Sequence, residues 1–357
     1  MDFLGYKVKS YMVAASSPLT ESIENIAECE KNGAAAAILK SASSRRLHDG
    51  GKRRCLADEE RGLFWCESGF DREILPLEEA ASLTKAAVSR TGLIIVPSIT
   101  ETTLEPEIWL ESCKKLEKAG AHGVQLDFFY FPNLMAEDGF NRGFVYLLKT
   151  LLTECTVPVM PKLSKNLPEA YAAELLKKAG VKYVSLLDSV RAPKPHGANL
   201  TGKGLSVFGN WMFGLTRQYT AVLADAGFQV CAGGGVTSGS EAAELLRLGA
   251  RTIQIATEAL LHGYKRFHDI GEGLSAPVAE PDAGGYTGQR QVVFDSSQCK
   301  GCGACMEQAF CNIVKRYVAG GSNSSCEGCG LCAQLCRHGA LQMQGFPHRC
   351  ASSSCSM

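Results

Sequence analysis

The sequence predicts an α/β chain: a (β/α)8 barrel followed by a small, cysteine-dense second unit. Three observations carry that expectation. Short apolar, β-branched runs alternate with amphipathic segments up to about residue 268, giving eight strand–helix units. Several helical segments end in Ala-Gly or Asn-Gly just before the next apolar run. Ten of the 16 cysteines lie beyond residue 298, which sets the C-terminal part apart. A length of 357 residues accommodates one large domain and one small one. An open doubly wound sheet is the alternative, but eight units in about 265 residues fit a closed barrel better.

Taken in order, the predicted strands are 11–15, 35–39, 93–97, 123–127, 158–162, 183–187, 228–232 and 252–256. Helical patterns occupy 21–32, 75–90, 105–119, 143–154, 168–179, 210–226, 239–248 and 257–267. The stops are Asn32-Gly33, Ala119-Gly120, Ala179-Gly180 and Ala226-Gly227, where glycine supplies a left-handed turn. Residues 40–74 form a long insertion after the second strand. Arg45, Arg46, Lys52, Arg53 and Arg54 lie near its start, and such a basic run reads either as a solvated loop or as an anion or partner contact. A second insertion, Pro/Gly-rich, spans 190–207 after the sixth strand. Both follow strand ends, so both belong at the catalytic mouth of a barrel. The expected organisation is a barrel over 1–270, a Gly/Pro/Ala-rich linker over 271–292, a small cysteine-rich domain over 293–345 and a disordered Ser-rich tail over 346–357.

Lys+Arg and Asp+Glu balance at 37 each, so charge points to neither a nucleic-acid nor a membrane partner. Lys7 and Lys9 interrupt the start, and no apolar run of about 18 residues follows anywhere, so the chain is expected to be cytoplasmic. In a reducing compartment, clustered cysteines point to metal rather than to disulfides.

The first cluster reads Cys299-x2-Cys302-x2-Cys305, then Cys311; the second reads Cys326-x2-Cys329-x2-Cys332, then Cys336. Three thiolates at this spacing wrap one face of a cubane, and the distant fourth ligates the other cluster. Cys299, Cys302, Cys305 and Cys336 are thus expected to hold one [4Fe–4S] cluster, and Cys326, Cys329, Cys332 and Cys311 a second. Gly301, Gly303, Gly328 and Gly330 would turn backbone N–H groups toward the sulfurs. Zinc is the competing reading, since paired CxxC motifs also build tetrahedral sites. A third cysteine at the same spacing in both runs favours iron–sulfur. Asn312 and Arg337 stand where proline usually follows the fourth cysteine, and the spacer before Cys311 is longer, but no ligand is lost.

Single-electron clusters feeding a two-electron substrate call for a flavin. Gly233-Gly234-Gly235 after the seventh strand, and Thr257 after the eighth, could bind its phosphate or merely turn the chain.

The chain resembles the dihydroorotate dehydrogenase and dihydropyrimidine dehydrogenase superfamily of FMN barrels. The likeness rests on Ala15-Ser16, "GAAAAILKS" ending in Lys40-Ser41, "VPVMPKLS" with Lys162, "AGVKYVSLLDSV", "CAGGGVTSGSEAAELLRLGA" and "TIQIATEALLHGY". With a ferredoxin-like, two-[4Fe–4S] domain expected over 293–345 after the barrel, it looks most like the FMN/iron–sulfur subunits of bacterial dihydropyrimidine dehydrogenases. The resemblance implies that Ala15, Ser16, Lys40 and Ser41 contact the flavin ring and ribityl chain. It implies that Lys162 faces the N1/O2 side of the ring, and that Gly234, Gly235 and Thr257 bind the FMN phosphate.

Departures from the family pattern bear on the substrate. Asparagines that end the fourth and sixth strands in relatives correspond here to Asp127 and Asp188. An ionised carboxylate only accepts, so the ring should carry more N–H donors than uracil or orotate, as an oxidised purine does. The alternative is that one aspartate pairs with a lysine, such as Asp127 with Lys162, and touches no substrate. The loop after the fourth strand holds no Cys or Ser as proton donor; its acids are Tyr130, Glu137 and Asp138, with Cys66, Glu67 and His196 elsewhere.

The expected activity is an FMN- and iron–sulfur-dependent oxidoreductase acting on a CH–CH bond of a cyclic amide or nucleobase-like ring. A flavin-dependent lyase or dehydratase without net redox, or a non-catalytic electron-transfer subunit, are the alternatives. No Rossmann fingerprint is present, so a ferredoxin or an NAD(P)H-oxidising flavoprotein is the expected electron partner, in a homodimer or hetero-oligomer.

Overall fold

The computed structural model describes residues 1–45, 55–58, 62–67, 74–128, 139–165, 167–192, 205–274, 291–307, 311–322, 326 and 331–344. It divides into two compact units, Met1–Ala276 and Pro277–Met357. No helix among the described residues is long and apolar enough to cross a membrane.

In the larger unit eight parallel strands follow the predicted runs closely: β1 (Met12–Ala14), β2 (Ala36–Ile38), β3 (Ile94–Val96 and Ser98–Ile99), β4 (Val124–Asp127), β5 (Val159–Lys162), β6 (Tyr183–Ser185), β7 (Gln229–Gly233) and β8 (Ala250–Ile255). Pro97 splits β3 because it brings no N–H to the ladder. Its carbonyl still accepts from Gln125 N at 2.9 Å. Pairing runs β1–β2–β3 on one side of that break and β3–β4–β5–β6–β7–β8–β1 on the other, so the sheet curls back on itself as a TIM-like barrel.

The helices between the strands are α1 (Ile23–Lys31), α2 (Leu77–Arg90), α3 (Pro106–Lys118), α4 (Phe140–Glu154), α5 (Glu169–Ala179), α6 (Phe213–Asp225), α7 (Gly239–Arg247), α8 (Thr257–His262) and α9 (Arg266–Gly273). The four glycine stops all adopt positive φ, as at Gly180, where α5 ends with φ 83°. The single helix expected over 257–267 is two, broken at Gly263 with φ 87°. A 3-10 turn, Asn210–Met212, precedes α6.

Alternation along the strands creates two cores. Outward residues such as Ala14, Ile95, Leu126, Val159, Val184 and Ile253 join the helices in the large buried cluster. Inward residues Val13, Ile38, Val96, Met160 and Cys231 pack with Phe3 and Leu4 from the N-terminal hairpin (Asp2–Phe3 with Tyr6–Lys7), which plugs the bottom of the barrel. His122 sits near this end, edge-on to Tyr6 at 5.4 Å, with Nδ1 accepting from Ile95 N at 3.1 Å. Burial holds its pKa below the ordinary 6.5. The folded state therefore binds this proton less tightly than the unfolded chain, and stability present above pH 6.5 is lost as pH falls. The melting temperature should decline between pH 7 and 5.5, and His122→Asn should flatten that decline.

The two insertions expected at the mouth build one structure. Strands Cys55–Asp58 and Leu63–Glu67 from the first pair with Leu205–Phe208 and Val190–Ala192 from the second, in a four-stranded antiparallel sheet. Phe64 and Phe208 stack across it at 5.8 Å. The first insertion is thus not simply a solvated loop, although its basic run at 46–54 lies outside the described residues.

The smaller unit pairs Gln291–Phe294 antiparallel with Leu341–Gln344, enclosing three short helices, Ala304–Glu307, Asn312–Val318 and Leu331–Leu335.

Candidate active site

At the C-terminal end of the barrel the inward positions turn polar. Ser98, Gln125, Asp127, Lys162, Ser185 and Gln254 are all buried there. Buried polar groups are costly unless hydrogen-bonded, and two networks hold most of these side chains, while Gln254 Nε2 donates to Ser185 Oγ at 2.8 Å.

The first converges on Ser41, just past β2. Its hydroxyl donates to Asp127 Oδ2 at 2.9 Å and lies 3.1 Å from Ser98 Oγ and 3.3 Å from Ser16 Oγ. Gln125 Nε2 donates to Ser98 Oγ at 3.0 Å. Three residues expected at the site from separate sequence segments (Ser16, Ser41 and Asp127) thus meet at one point. Ser98 and Gln125 were not anticipated. Their only sequence signal is a polar residue at an inward position of an apolar strand.

The second network lies across β5 and β6. Asp127 and Lys162 are register partners on adjacent strands, yet the ion pair forms between Lys162 Nζ and Asp188 Oδ2 at 3.1 Å. The side chains are 9% and 6% exposed, so the charges are nearly desolvated. Ser189 N and Oγ donate to Asp188 Oδ1 at 2.7 and 3.3 Å. The sequence-level alternative, a lysine–carboxylate pair, is realised with Asp188 rather than Asp127. The reason is reach: the chain bends inward after β6, with Asp188 N donating to Leu163 O at 3.0 Å.

Gly233 and Gln254 pair in register, which places the loops after β7 and β8 side by side. Thr216 Oγ1 donates to Gly233 O at 3.1 Å and Gly234 O at 2.7 Å. In a trans peptide the N–H opposes the C=O, so the Gly234 and Gly235 N–H groups point away from Thr216. Gly234 and Gly235 have φ 108° and 81°. A Cβ on Gly235 would lie 2.5 Å from Phe213 N and 2.8 Å from Asn210 O. Gly235→Ala should therefore destabilise the barrel by about 1–3 kcal/mol and lower flavin content on purification, read by melting and by bound-flavin absorbance. Thr257 opens α8 beside this cradle, and Ala15 N donates to Ile255 O at 3.1 Å. Lys40, buried, lies two residues beyond the end of β2.

Another unanticipated residue is Glu101, fully buried beyond β3. It accepts from Ser44 N (2.8 Å), Ser43 Oγ (3.0 Å) and Ser112 Oγ (3.2 Å), fixing the root of the first insertion. Of the expected proton donors, Tyr130, Glu137, Asp138 and His196 lie outside the described residues. Cys66 and Glu67 belong to the mouth sheet by backbone pairing, with their side chains outside the description.

In the smaller unit, Cys332 is buried with Val292, Val314 and Leu341, and Cys305, Cys311, Cys326 and Cys336 pack around them. Burial raises the Cys305 pKa, and the charges of Cys299, Cys336 and Cys302 raise it further, so these four share one neighbourhood. Burial pushes the Cys336 thiol up, but backbone N–H groups of Leu341, His338, Ala340 and Gly339 outweigh it and hold the pKa below its ordinary value. Gly301 N donates to Cys299 Sγ at 3.5 Å. Among the described residues no three His, Cys, Asp or Glu side chains stand close enough to hold a single metal ion, and Cys329 lies outside them.

No protein-family model matches the chain. The catalytic subunit of dihydroorotate dehydrogenase B (NAD(+)) from Pyrococcus abyssi is 30% identical over 307 residues, spanning 82% of this chain and 97% of that one. The chain belongs to the dihydroorotate and dihydropyrimidine dehydrogenase superfamily. Another member of that superfamily, the PreA subunit of NAD-dependent dihydropyrimidine dehydrogenase from Escherichia coli K12, is 22% identical over 349 residues, 85% of this chain and 83% of that one. A putative dihydroorotate dehydrogenase A (fumarate) from Aeropyrum pernix is 26% identical over 208 residues, 55% of this chain and 66% of its own length. Membership makes the chain a flavin-dependent oxidoreductase.

Proposed function

We propose that this protein uses FMN and two [4Fe–4S] clusters to move electrons to or from a CH–CH bond of a cyclic amide or nucleobase-like ring. The observation that carries the reading is the pair of polar networks, Ser16–Ser41–Asp127 and Lys162–Asp188, buried at the C-terminal strand ends beside a glycine cradle. FMN, when bound, exchanges two electrons with a substrate and one at a time with clusters.

The residues of this chain then divide the work. Gly234, Gly235 and Thr257 would hold the phosphate. Ala15, Ser16, Lys40 and Ser41 would line the ring and ribityl chain. Lys162, oriented by Asp188, would place a fixed positive charge where reduced flavin gathers negative charge. Asp127 and Asp188, as carboxylates that only accept, would read N–H donors of the ring. The proton donor would be Tyr130, Cys66 or Glu67. In the smaller unit, Cys299, Cys302, Cys305 and Cys336 would hold one cluster. Cys311, Cys326, Cys329 and Cys332 would hold the other. A cytoplasmic ferredoxin or NAD(P)H-oxidising flavoprotein would exchange electrons with them, in a homodimer or hetero-oligomer.

The test is anaerobic purification followed by metal, sulfide and flavin assays. A screen of pyrimidines, purines and other lactams for reoxidation of the reduced enzyme then follows. A brown flavoprotein reoxidised by one ring class is the expected result. A colourless protein with zinc and no labile sulfide would end the electron-relay reading. Turnover without consumption of reductant would replace it with a lyase.

A further inference from the structure

Two cysteines of the barrel take no part in the chemistry above, yet they lie together. Cys113 is fully buried on α3, and Cys155 is partly exposed where α4 ends, its N–H donating to Leu151 O at 2.9 Å. Cys155 packs against the buried cluster that contains Cys113, and each thiol is the first influence on the other's pKa, through hydrogen bonding. The backbone around them is pinned. Glu117 Oε1 accepts from Thr156 N at 2.6 Å and Val157 N at 3.3 Å. Lys114 Nζ lies 3.2 Å from Glu117 Oε2 and also donates to the Glu154 carbonyl. These tethers hold the two segments that carry the cysteines side by side, the arrangement a disulfide between them needs.

We propose that Cys113 and Cys155 form a reversible disulfide, a peroxide-responsive modification site in the outer helical layer of the barrel. The Cys155 thiolate attacks hydrogen peroxide: an S–O bond forms, the O–O bond breaks, and the leaving hydroxide takes up a proton as water. The Cys113 sulfur then displaces the sulfenic oxygen: an S–S bond forms, the S–O bond breaks, and a second water leaves with the Cys113 proton. Two thiols and one peroxide become one disulfide and two waters. The sulfurs together lose two electrons and the peroxide gains them.

The order of events follows from the surroundings. The hydrogen bond from Cys113 holds the Cys155 pKa below its ordinary value, and Lys114 helps, against burial and the carboxylates of Glu117 and Glu154. That same bond, then burial, keeps Cys113 protonated. The accessible sulfur is thus the attacker and the buried one resolves it. Cys29 and Cys231 differ: burial pushes both up to about 12, and they should stay inert.

The full chain, purified anaerobically with its cofactors, is treated with stoichiometric hydrogen peroxide, alkylated and digested without reductant. The expected product is the Cys113 peptide joined to the Cys155 peptide, two hydrogens lighter than the sum and separated by dithiothreitol. In Cys113→Ala, Cys155 should stop at a sulfenic acid that dimedone traps. In Cys155→Ala, Cys113 should remain a thiol. If Cys113→Ala fails to fold, the wild-type cross-link decides, with Cys155→Ala as control. A wild-type protein that accumulates oxidised Cys155 beside a free Cys113 overturns the proposal. So does one in which both stay alkylatable after peroxide has oxidised other cysteines.

Discussion

Lys162→Met is expected to lower stability by about 3–5 kcal/mol and to abolish turnover, because it strands a buried carboxylate. Lys162 and Asp188 are 3.1 Å apart with little solvent at either. Removing the ammonium takes away the counter-charge of Asp188, while the Ser189 donors stay in place. For a domain of this size that loss lowers the melting temperature by roughly 10 °C. Stability and chemistry can be separated with a second substitution. Lys162→Met/Asp188→Leu removes both charges and should regain most of the lost stability, since a buried pair contributes little against apolar residues of similar volume. Activity should stay absent if, as proposed, the Lys162 charge serves the flavin. A double variant that regains activity would show that Lys162 is a structural counter-ion and no more. Asp188→Asn is the complementary probe. It keeps an acceptor for Ser189 but frees the ammonium, so an effect on kcat with preserved stability would identify Asp188 as the residue that positions Lys162.

Local periodicity was enough to place the barrel and not enough to assemble its site. All eight strands fall close to their predicted runs because inward and outward positions alternate, and because glycines with positive φ end the helices before them. Ser16, Ser41 and Lys162 could be pointed to because of the family resemblance, and Gly234 and Gly235 also because a glycine run follows the seventh strand. What escaped prediction is non-local. The partner of Lys162 depends on how the chain bends after β6, not on the β4–β5 register that favours Asp127. Ser98 and Gln125 matter only once barrel closure brings β3 and β4 against the end of β2. The mouth sheet joins segments some 140 residues apart, a pairing that neither insertion announces alone.

Cys336→Ala is expected to remove about half of the iron and sulfide and nearly all electron exchange with an external donor, while flavin content stays whole. The two runs are expected to exchange their fourth ligands. Cys336 ends the second cysteine run, yet it shares its surroundings with Cys299, Cys302 and Cys305 of the first, and the backbone N–H groups of 338–341 stabilise its thiolate. Paired substitutions read that crossing directly. If Cys302 and Cys336 hold the same cluster, Cys302→Ala/Cys336→Ala should lose no more iron than either single variant. Cys302→Ala/Cys311→Ala should lose nearly all of it, because it strikes one ligand of each cluster. Were each run to bind its own cluster, the pattern would invert: the Cys302/Cys336 double would be the iron-free protein and the Cys302/Cys311 double would keep about half. Iron and labile sulfide per chain distinguish the two arrangements without any knowledge of the substrate. Cys29→Ala and Cys231→Ala, which remove buried barrel thiols, should leave both quantities unchanged.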